Sequence, residues 1–192
     1  MTGTWPSGWG VGDIETAAEF KKGIGAISDT TLGGSAANVD IASIVGTYAH
    51  LLVVVYARGD AASGAIGLNV RFNGDSAANY DWQKMEGTGA TVTPSEAFAQ
   101  TAISANNVPA NTAGANLFGV SMGFLPHYAG SANNKAYLSI AAYKVGVTTG
   151  SMTDSLSGGF WRSNAAINRI TLLPSSGNFV AGTRVTIYAM GA

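Results

Sequence analysis

Apolar and polar side chains alternate one by one along several stretches of this chain, a pattern that a helix cannot use. IGLNVRF at 66–72 alternates Ile, Leu, Val and Phe with Gly, Asn and Arg, and RVTIYAM at 184–190 alternates in the same way. A period of two gives a strand one buried face and one open face. We therefore predict β-strands at both places.

Further stretches fit short strands and are separated by Gly, Asn, Ser and Pro. They are VDIASI (39–44), YAHLLVVVYA (48–57), NYDWQKM (79–85), NLFGVSMGFL (116–125), AYLSIAAYKVGV (136–147), SGGFWRS (157–163) and INRITLL (167–173). Long amphipathic helices do not alternate with them, which argues against a doubly wound α/β sheet. The spacing predicts an all-β, antiparallel jelly-roll sandwich over residues 36–192. We expect 87–116 to be a long surface connection, with room for one strand near EAFAQTAI.

Composition excludes several classes of function. The net charge is -1 and the ten Lys and Arg residues are scattered, so nucleic-acid binding is not expected. Apolar runs are too short to cross a membrane, so we expect no membrane insertion. The chain has no Cys and hence no disulfide or thiolate metal site. Only 11% of its residues are charged, which suits a surface shared with neighbouring subunits.

Residues 1–35 differ from the rest and form a predicted attachment segment. A turn-rich start, MTGTWPSGWGVGD, precedes TAAEFKKG, which is predicted to form one small helix with a capping box of Thr16 and Glu19 and its end at Gly23. A helix of about two turns is unstable alone in water and must dock on something. The residues expected to anchor this segment to a larger assembly are Trp5, Trp9, Ile14 and Phe20.

RFNGDSAANYDWQ (71–83) holds two carboxylates among amide and aromatic side chains. Asn73-Gly74 follows a clearly alternating strand, and Asn-Gly is a strong hairpin signal. We favour a structural turn. A sugar or ion contact at Asp75, Asn79 or Asp81 is the alternative, and catalysis by the two carboxylates lacks any sign of a cleft.

Two other candidate sites for chemistry lack partners. GVSMG (119–123) matches the Gly-x-Ser-x-Gly pattern around a hydrolase nucleophile, but no acid followed by a His comes after Ser121. His50 and His127 have no metal-spaced partner. We predict neither enzymatic activity nor a bound cofactor or metal.

Four segments in order resemble a module of tailed-phage virion proteins. They are GWGVGDIETAAEFKKG (8–23), YAHLLVVVYARGD (48–60), LNVRFNGDSAANYDWQKM (68–85) and FWRSNAAINRITLLPSSGNFVAGTRVTIYAMG (160–191). The resemblance is to tail-fibre, minor tail and other surface proteins of the particle, and it weakens across 87–154. It implies a jelly-roll head shaped like those of C1q and tumour necrosis factor, usually homotrimeric, and it supplies no catalytic residues.

The resemblance implies a non-enzymatic structural protein of the virion, made in the cytoplasm of the bacterial host. We expect a homotrimer at the tail tip or fibre that binds other virion proteins and contacts the host receptor, a cell-surface glycan. A capsid decoration or head-spike protein is the first alternative. A carbohydrate-binding module is the second.

Two sets of residues follow from this expectation. Trimer contacts are predicted at Tyr56, Tyr143, Trp161 and Tyr188, each of which could equally be an ordinary core residue. The loops at 87–116 and 128–135 are predicted to touch a ligand. Their candidate residues are Asn106, Asn107, Asn111, Tyr128, Asn133 and Asn134.

Overall fold

The computed structural model describes residues 23–147 and 152–191, and within these ranges every regular element is a strand. The strands are β1 (Ile24–Thr31), β2 (Val39–Ile41), β3 (His50–Ala57), β4 (Ala65–Phe72), β5 (Tyr80–Thr88), β6 (Thr91–Gln100), β7 (Ile103–Pro109), β8 (Gly119–Pro126), β9 (Lys135–Lys144), β10 (Met152–Trp161), β11 (Ile170–Pro174) and β12 (Arg184–Met190). The chain is thus all-β throughout its described part.

The strands form two antiparallel sheets. The larger has eight strands in the order β1-β12-β3-β8-β9-β10-β5-β6, and the smaller has four in the order β2-β11-β4-β7. β7 of the small sheet packs against β5, β8, β9 and β10 of the large one. The predicted antiparallel sandwich is confirmed at this level, while the predicted N-terminal helix lies outside the described residues.

The core lies between the sheets and follows from the alternation of the strands. β3 and β12 of the large sheet and β4 of the small sheet each turn one apolar side inward. The residues concerned, all buried, are Leu51, Val53, Val55, Val185, Ile187, Leu68, Val70 and Phe72. The rings of Phe72, Tyr80, Tyr137 and Trp161 extend this core, with Phe72 5.9 to 6.4 Å from the other three. Burial of this apolar surface is the main force that holds the sheets together.

All nine predicted strands are present, although their ends shift by a few residues. The predicted long surface connection at 87–116 is wrong, because this stretch contains β6 and β7. The one strand expected near EAFAQTAI overlaps the end of β6. β7 reads ISANNVP and six of its seven residues are buried. Its Asn side chains find hydrogen-bond partners on other strands, so a polar sequence occupies the interior.

Residues 24–31, within the predicted attachment segment, form β1 and pair with β12 of the large sheet. The anchoring residues Trp5, Trp9, Ile14 and Phe20 lie outside the described residues. The prediction about them therefore stays a prediction.

The turns of the sandwich gather at two ends. The first end holds the turns at 73–79, 127–134 and 162–169. The strand registers align His50 with Pro126 and Phe72 with Ile170, and the Ile167 amide donates to the Tyr128 carbonyl. The second end holds the turns at 58–64 and 110–118, beside the end of β3 at Ala57. Any ligand contact made by loops must use one of these two ends.

Candidate functional site

The surface of the eight-stranded sheet that faces away from the small sheet carries most of the large exposed apolar side chains. Twelve of the fourteen such side chains in the described ranges project from it. They are Ile24, Tyr56, Met85, Val92, Phe98, Val120, Met122, Leu138, Ile140, Met152, Leu156 and Phe160. We call this surface the outer face. Soluble monomers rarely expose so large a contiguous apolar surface, so the outer face is the candidate interaction site.

The apolar side chains of the outer face are aligned across strands. Met85 lies opposite Leu156, Leu156 opposite Ile140, and Ile140 opposite Met122. Cross-strand neighbours of this kind touch one another and form a continuous ridge. Beside them lies an open apolar depression of about 630 Å³, lined by residues that include Val54, Val120 and Asp154.

The usual burial pattern is inverted on β9 and β10. Leu138, Ile140 and Leu156 point outward, whereas Ser139 and Ser155 point inward and are buried. A shift of register by one residue would reverse both sets, because side chains alternate strictly along a strand. The observed register therefore has to be held by something inside the sandwich.

Asn106 of β7 holds this register. Its side chain is fully buried, and both its amide nitrogen and its amide oxygen make hydrogen bonds. Its amide nitrogen donates to Ser139 Oγ at 3.0 Å and, more weakly, to Ser121 Oγ at 3.4 Å. Its amide oxygen accepts from Ser155 Oγ at 2.8 Å. Ser121, the serine of the GVSMG stretch, is thus part of a buried structural network on a strand, and its hydroxyl is not open to a substrate.

The serine hydroxyls also bond to the main chain of β7. Ser139 donates to the Ala105 carbonyl at 3.0 Å, and Ser157 donates to the Ser104 carbonyl. Ala105 is the extra residue of a bulge in β7, where the register with β4 shifts. Leucine in place of these serines would leave buried carbonyls without donors, at a cost of about 1–3 kcal/mol each. The polar layer therefore favours the register that turns the apolar residues outward.

A buried lysine continues the polar layer toward β5. Lys84 forms an ion pair with Glu86 at 3.1 Å, and its Nζ lies 3.5 Å from Asn107 Oδ1. Asn107 in turn donates to Glu86 Oε1. Each of the three groups has a partner, as buried charges require.

The turn at 110–118, at the second end, is organised by one arginine. The Arg58 guanidinium donates to the carbonyl oxygens of Gly114 at 2.7 Å, Leu117 at 3.0 Å and Ala113 at 3.0 Å, with a longer bond of 3.4 Å to Asn111. Only arginine offers so many donors in one rigid plane. The backbone of this turn is therefore held in one shape.

The turn at 128–134, at the first end, closes around the buried ammonium of Lys135. Its Nζ donates to the carbonyls of Gly130 at 2.6 Å, Asn133 at 2.9 Å and Asn164 at 3.1 Å. Burial lowers the pKa of Lys135, because the charged form loses solvation. The bond to Asn164 ties the neighbouring turn at 162–169 to the same centre.

Asp75 organises the turn at 73–79, which joins β4 to β5. Burial tends to raise the pKa of Asp75, but hydrogen bonds from Asn79 at 2.9 Å, Trp161 Nε1 at 2.7 Å and the Ala77 amide at 2.9 Å outweigh it and lower the pKa. The Tyr80 hydroxyl caps the same turn through the Asp75 carbonyl. The Asp75 carboxylate is thus used in hydrogen bonds within the protein.

The two histidines meet at the first end. The His127 amide donates to Nδ1 of His50 at 3.2 Å, and the ring centroids are 4.9 Å apart. Within 23–147 and 152–191, no group of three His, Asp or Glu side chains could hold a metal ion. No helix in the described part of the chain is long and apolar enough to span a membrane.

The four predicted trimer contacts lie in different environments. Tyr56 is half exposed on the outer face and stacks on Phe118 at 4.8 Å, and Tyr188 lies partly buried on the same face. Tyr143 is partly buried. The predicted trimer contact at Trp161 is wrong, because Trp161 is a core residue with only 3% of its surface exposed. Its indole N–H donates to Asp75, which keeps the ring inside the sandwich.

The six predicted ligand residues do not converge on one site. Asn106 and Tyr128 are fully buried, Tyr128 with its hydroxyl bonded to the Val45 carbonyl, so neither side chain can reach a surface ligand. Asn107 belongs to the Lys84–Glu86 group. Asn111 is exposed at the second end, whereas Asn133 and Asn134 are exposed at the first.

The outer face is the feature that sequence reasoning missed. Alternation revealed the strands but not which side of each strand would be buried. The signal was the small polar residues at the buried positions, Ser139 in β9 and Thr153, Ser155 and Ser157 in β10, together with Asn106 and Asn107 in β7. No model of a known protein family matches the chain, and no curated protein matches its sequence.

Proposed function

We propose that this protein is a non-enzymatic structural component of the surface of a tailed-phage virion. In this proposal it is a homotrimer of the tail tip or fibre whose loops contact the host receptor, and its sandwich is a jelly roll of the C1q and tumour-necrosis-factor shape. The order of the four similar segments supports the class of protein. The observation that carries the proposal is the apolar outer face.

The size of the outer face supports association with other copies. From β3 to β6 it crosses six strands, which is about 24 Å, and from Met152 to Phe160 it runs about 27 Å along β10. The product, about 650 Å², exceeds what most soluble monomers expose and approaches the roughly 800 Å² that each partner buries in a stable interface. Identical copies supply a matching apolar surface.

The turns at the two ends support a role in contact with a receptor. Those at 110–118 and 128–134 are held by Arg58 and Lys135, and they present Asn111, Asn133 and Asn134 to solvent. Rigid loops bind with a smaller loss of conformational entropy than mobile ones. The outer face is then free to hold the subunits together.

Light scattering on the full chain tests the association. We expect the mass of three chains for the unchanged protein and of one folded chain for Ile140→Lys, because a charge at the centre of the outer face would be desolvated on contact. Val45→Lys is the matched control, since Val45 is similarly exposed (55% against 50%) but lies off the outer face.

A single-chain mass for the unchanged protein at every concentration would contradict the trimer. A trimer of Ile140→Lys would show that the outer face is not the interface. The virion assignment is tested separately, by detecting the chain in purified particles by mass spectrometry.

A further inference from the structure

Among residues 23–147 and 152–191, no further strand pairs with either edge of the eight-stranded sheet, and most of one edge strand is exposed. β1 and β6 are its terminal strands. Eight of the ten residues of β6 are exposed, and Val92 and Phe98 are 66% and 64% exposed. An uncovered edge strand offers its unpaired N–H and C=O groups to another strand.

The two edges run in opposite directions. β1 runs from the first end of the sandwich to the second, because Ile24 is aligned with Met190 and Thr31 with Arg184. β6 runs from the second end to the first, as its pairing of Thr91 with Thr88 requires. This follows from an even number of strands in an antiparallel sheet. Copies repeated around an axis parallel to the strands would thus place β6 antiparallel to β1 of the next copy.

We propose that β6 of each copy pairs with β1 of the next, so that three copies share one closed sheet with the outer faces turned inward. This inference rests on the proposed self-association and names its geometry. A head-to-tail contact of this kind closes into a ring of three when each copy is rotated by one third of a turn from the one before it. Closure also removes both open edges at once.

The dimensions of the sheet favour three copies. Eight strands about 4.8 Å apart make a side of about 38 Å, and the flat sides of such a three-sided prism lie about 11 Å from its axis. Sheets pack face to face about 10 Å apart, so side chains from three sides fill most of this space. Four sides would lie about 19 Å from the axis and leave a large void beside exposed apolar residues.

Pro94 limits the contact without preventing it. Pro94 of β6 lies opposite Met85 of β5. Because proline has no N–H, Pro94 offers a neighbouring strand only its carbonyl. Positive φ at Ala99, 52°, and the nearby register shift disturb the strand toward Gln100. We therefore expect the pairing to use the part of β6 near Thr91 and the part of β1 near Thr31.

Cysteine cross-linking tests the pairing, since the chain has no Cys of its own. Thr31→Cys with Thr91→Cys places two thiols at the second end on opposite edges, seven strand spacings or about 34 Å apart within one copy. A short bis-maleimide can then join only different copies. The control is Ile24→Cys with Thr91→Cys, in which all three substituted sites are likewise exposed but the thiols lie at opposite ends.

We expect covalent dimers and trimers from the first pair and none from the control, with unchanged thermal unfolding for both variants. Equal cross-linking of the two pairs, or none from either in a protein with the mass of three chains, would overturn the edge pairing and leave the trimer intact. A mass of one chain would overturn both.

Discussion

Gly123 of β8 lies so close to the ring of Tyr137 that any side chain at position 123 would clash with it. A Cβ built on Gly123 would be 1.8 Å from the Tyr137 hydroxyl oxygen and 2.2 Å from Cζ. The ring cannot move aside easily, because Tyr137 is 2% exposed and packs against Phe72 at 6.1 Å. Glycine at 123 lets the core aromatic reach the sheet backbone.

We expect Gly123→Ala to lower the free energy of unfolding by roughly 1–3 kcal/mol, the usual cost of overpacking a core. Gly158→Ala is the control, because a Cβ there would meet nothing within 4 Å. Alanine at a strand glycine without a clash gains about 0.5–1 kcal/mol. Urea unfolding at one protein concentration measures both, and equal effects would disprove the contact.

The buried polar layer gives a second prediction. Ser155→Ala removes the donor to the amide oxygen of Asn106 and leaves it unsatisfied in the interior. We expect a loss of roughly 1–3 kcal/mol in the free energy of unfolding. Ser131→Ala, in an exposed turn, should change it by less than about 0.5 kcal/mol. If Ser155→Ala left the free energy of unfolding unchanged, the polar layer would not be what holds the register.

The pH dependence of stability follows from Asp75. Its pKa in the folded protein lies below the ordinary value of 3.8, since the hydrogen bonds to the carboxylate outweigh its burial. The unfolded chain therefore binds the proton first as pH falls, and the stabilisation by Asp75 is complete above pH 3.8 and lost as pH drops through the folded pKa.

Asp75→Asn should accordingly lower the melting temperature at neutral pH and differ less from the unchanged protein at about pH 2. Calorimetry at the two pH values measures this difference, and Ser76→Ala, the neighbouring exposed site, should keep the full acid dependence. An effect of Asp75→Asn that is the same at both pH values would contradict the assignment.

Arg58→Lys should loosen the turn at 110–118 while leaving its charge in place. A lysine ammonium has three donors on one nitrogen and cannot bond all four carbonyls that the guanidinium now bonds, so we expect a loss of roughly 1–3 kcal/mol. Hydrogen exchange of the Gly114 amide, which donates to Val145 at 2.8 Å, should speed up. Arg71→Lys, whose partner is Thr101, should leave Gly114 unchanged.

The strands with large apolar residues on one side were predictable from the sequence. RVTIYAM has the same bounds in the structure as in the prediction, and its alternating residues Val185 and Ile187 are buried. Asn73 and Gly74 likewise take positive φ, 54° and 71°, as the Asn-Gly turn signal requires. In both cases the deciding physics is local.

β7 and the outer face were not predicted, because their environment comes from distant strands. Asn106 is buried since serines from β8, β9 and β10 complete its hydrogen bonds. Leu138 and Leu156 point outward since the serines beside them point in. Alternation shows that a strand has two faces, but partners far along the chain decide which face is buried. Trp161 was misplaced for the same reason, as Asp75 holds its indole inside.

The core and the polar layer are both supplied by one chain, and this has a kinetic consequence. A protomer with its own complete interior does not need a neighbour in order to fold, unlike an obligate oligomer whose folded state exists only in the complex. We therefore expect folding to be first order and association to be a later, concentration-dependent step. Dilution would then yield folded single chains, and the rate of trimer formation would be set by how often those chains collide.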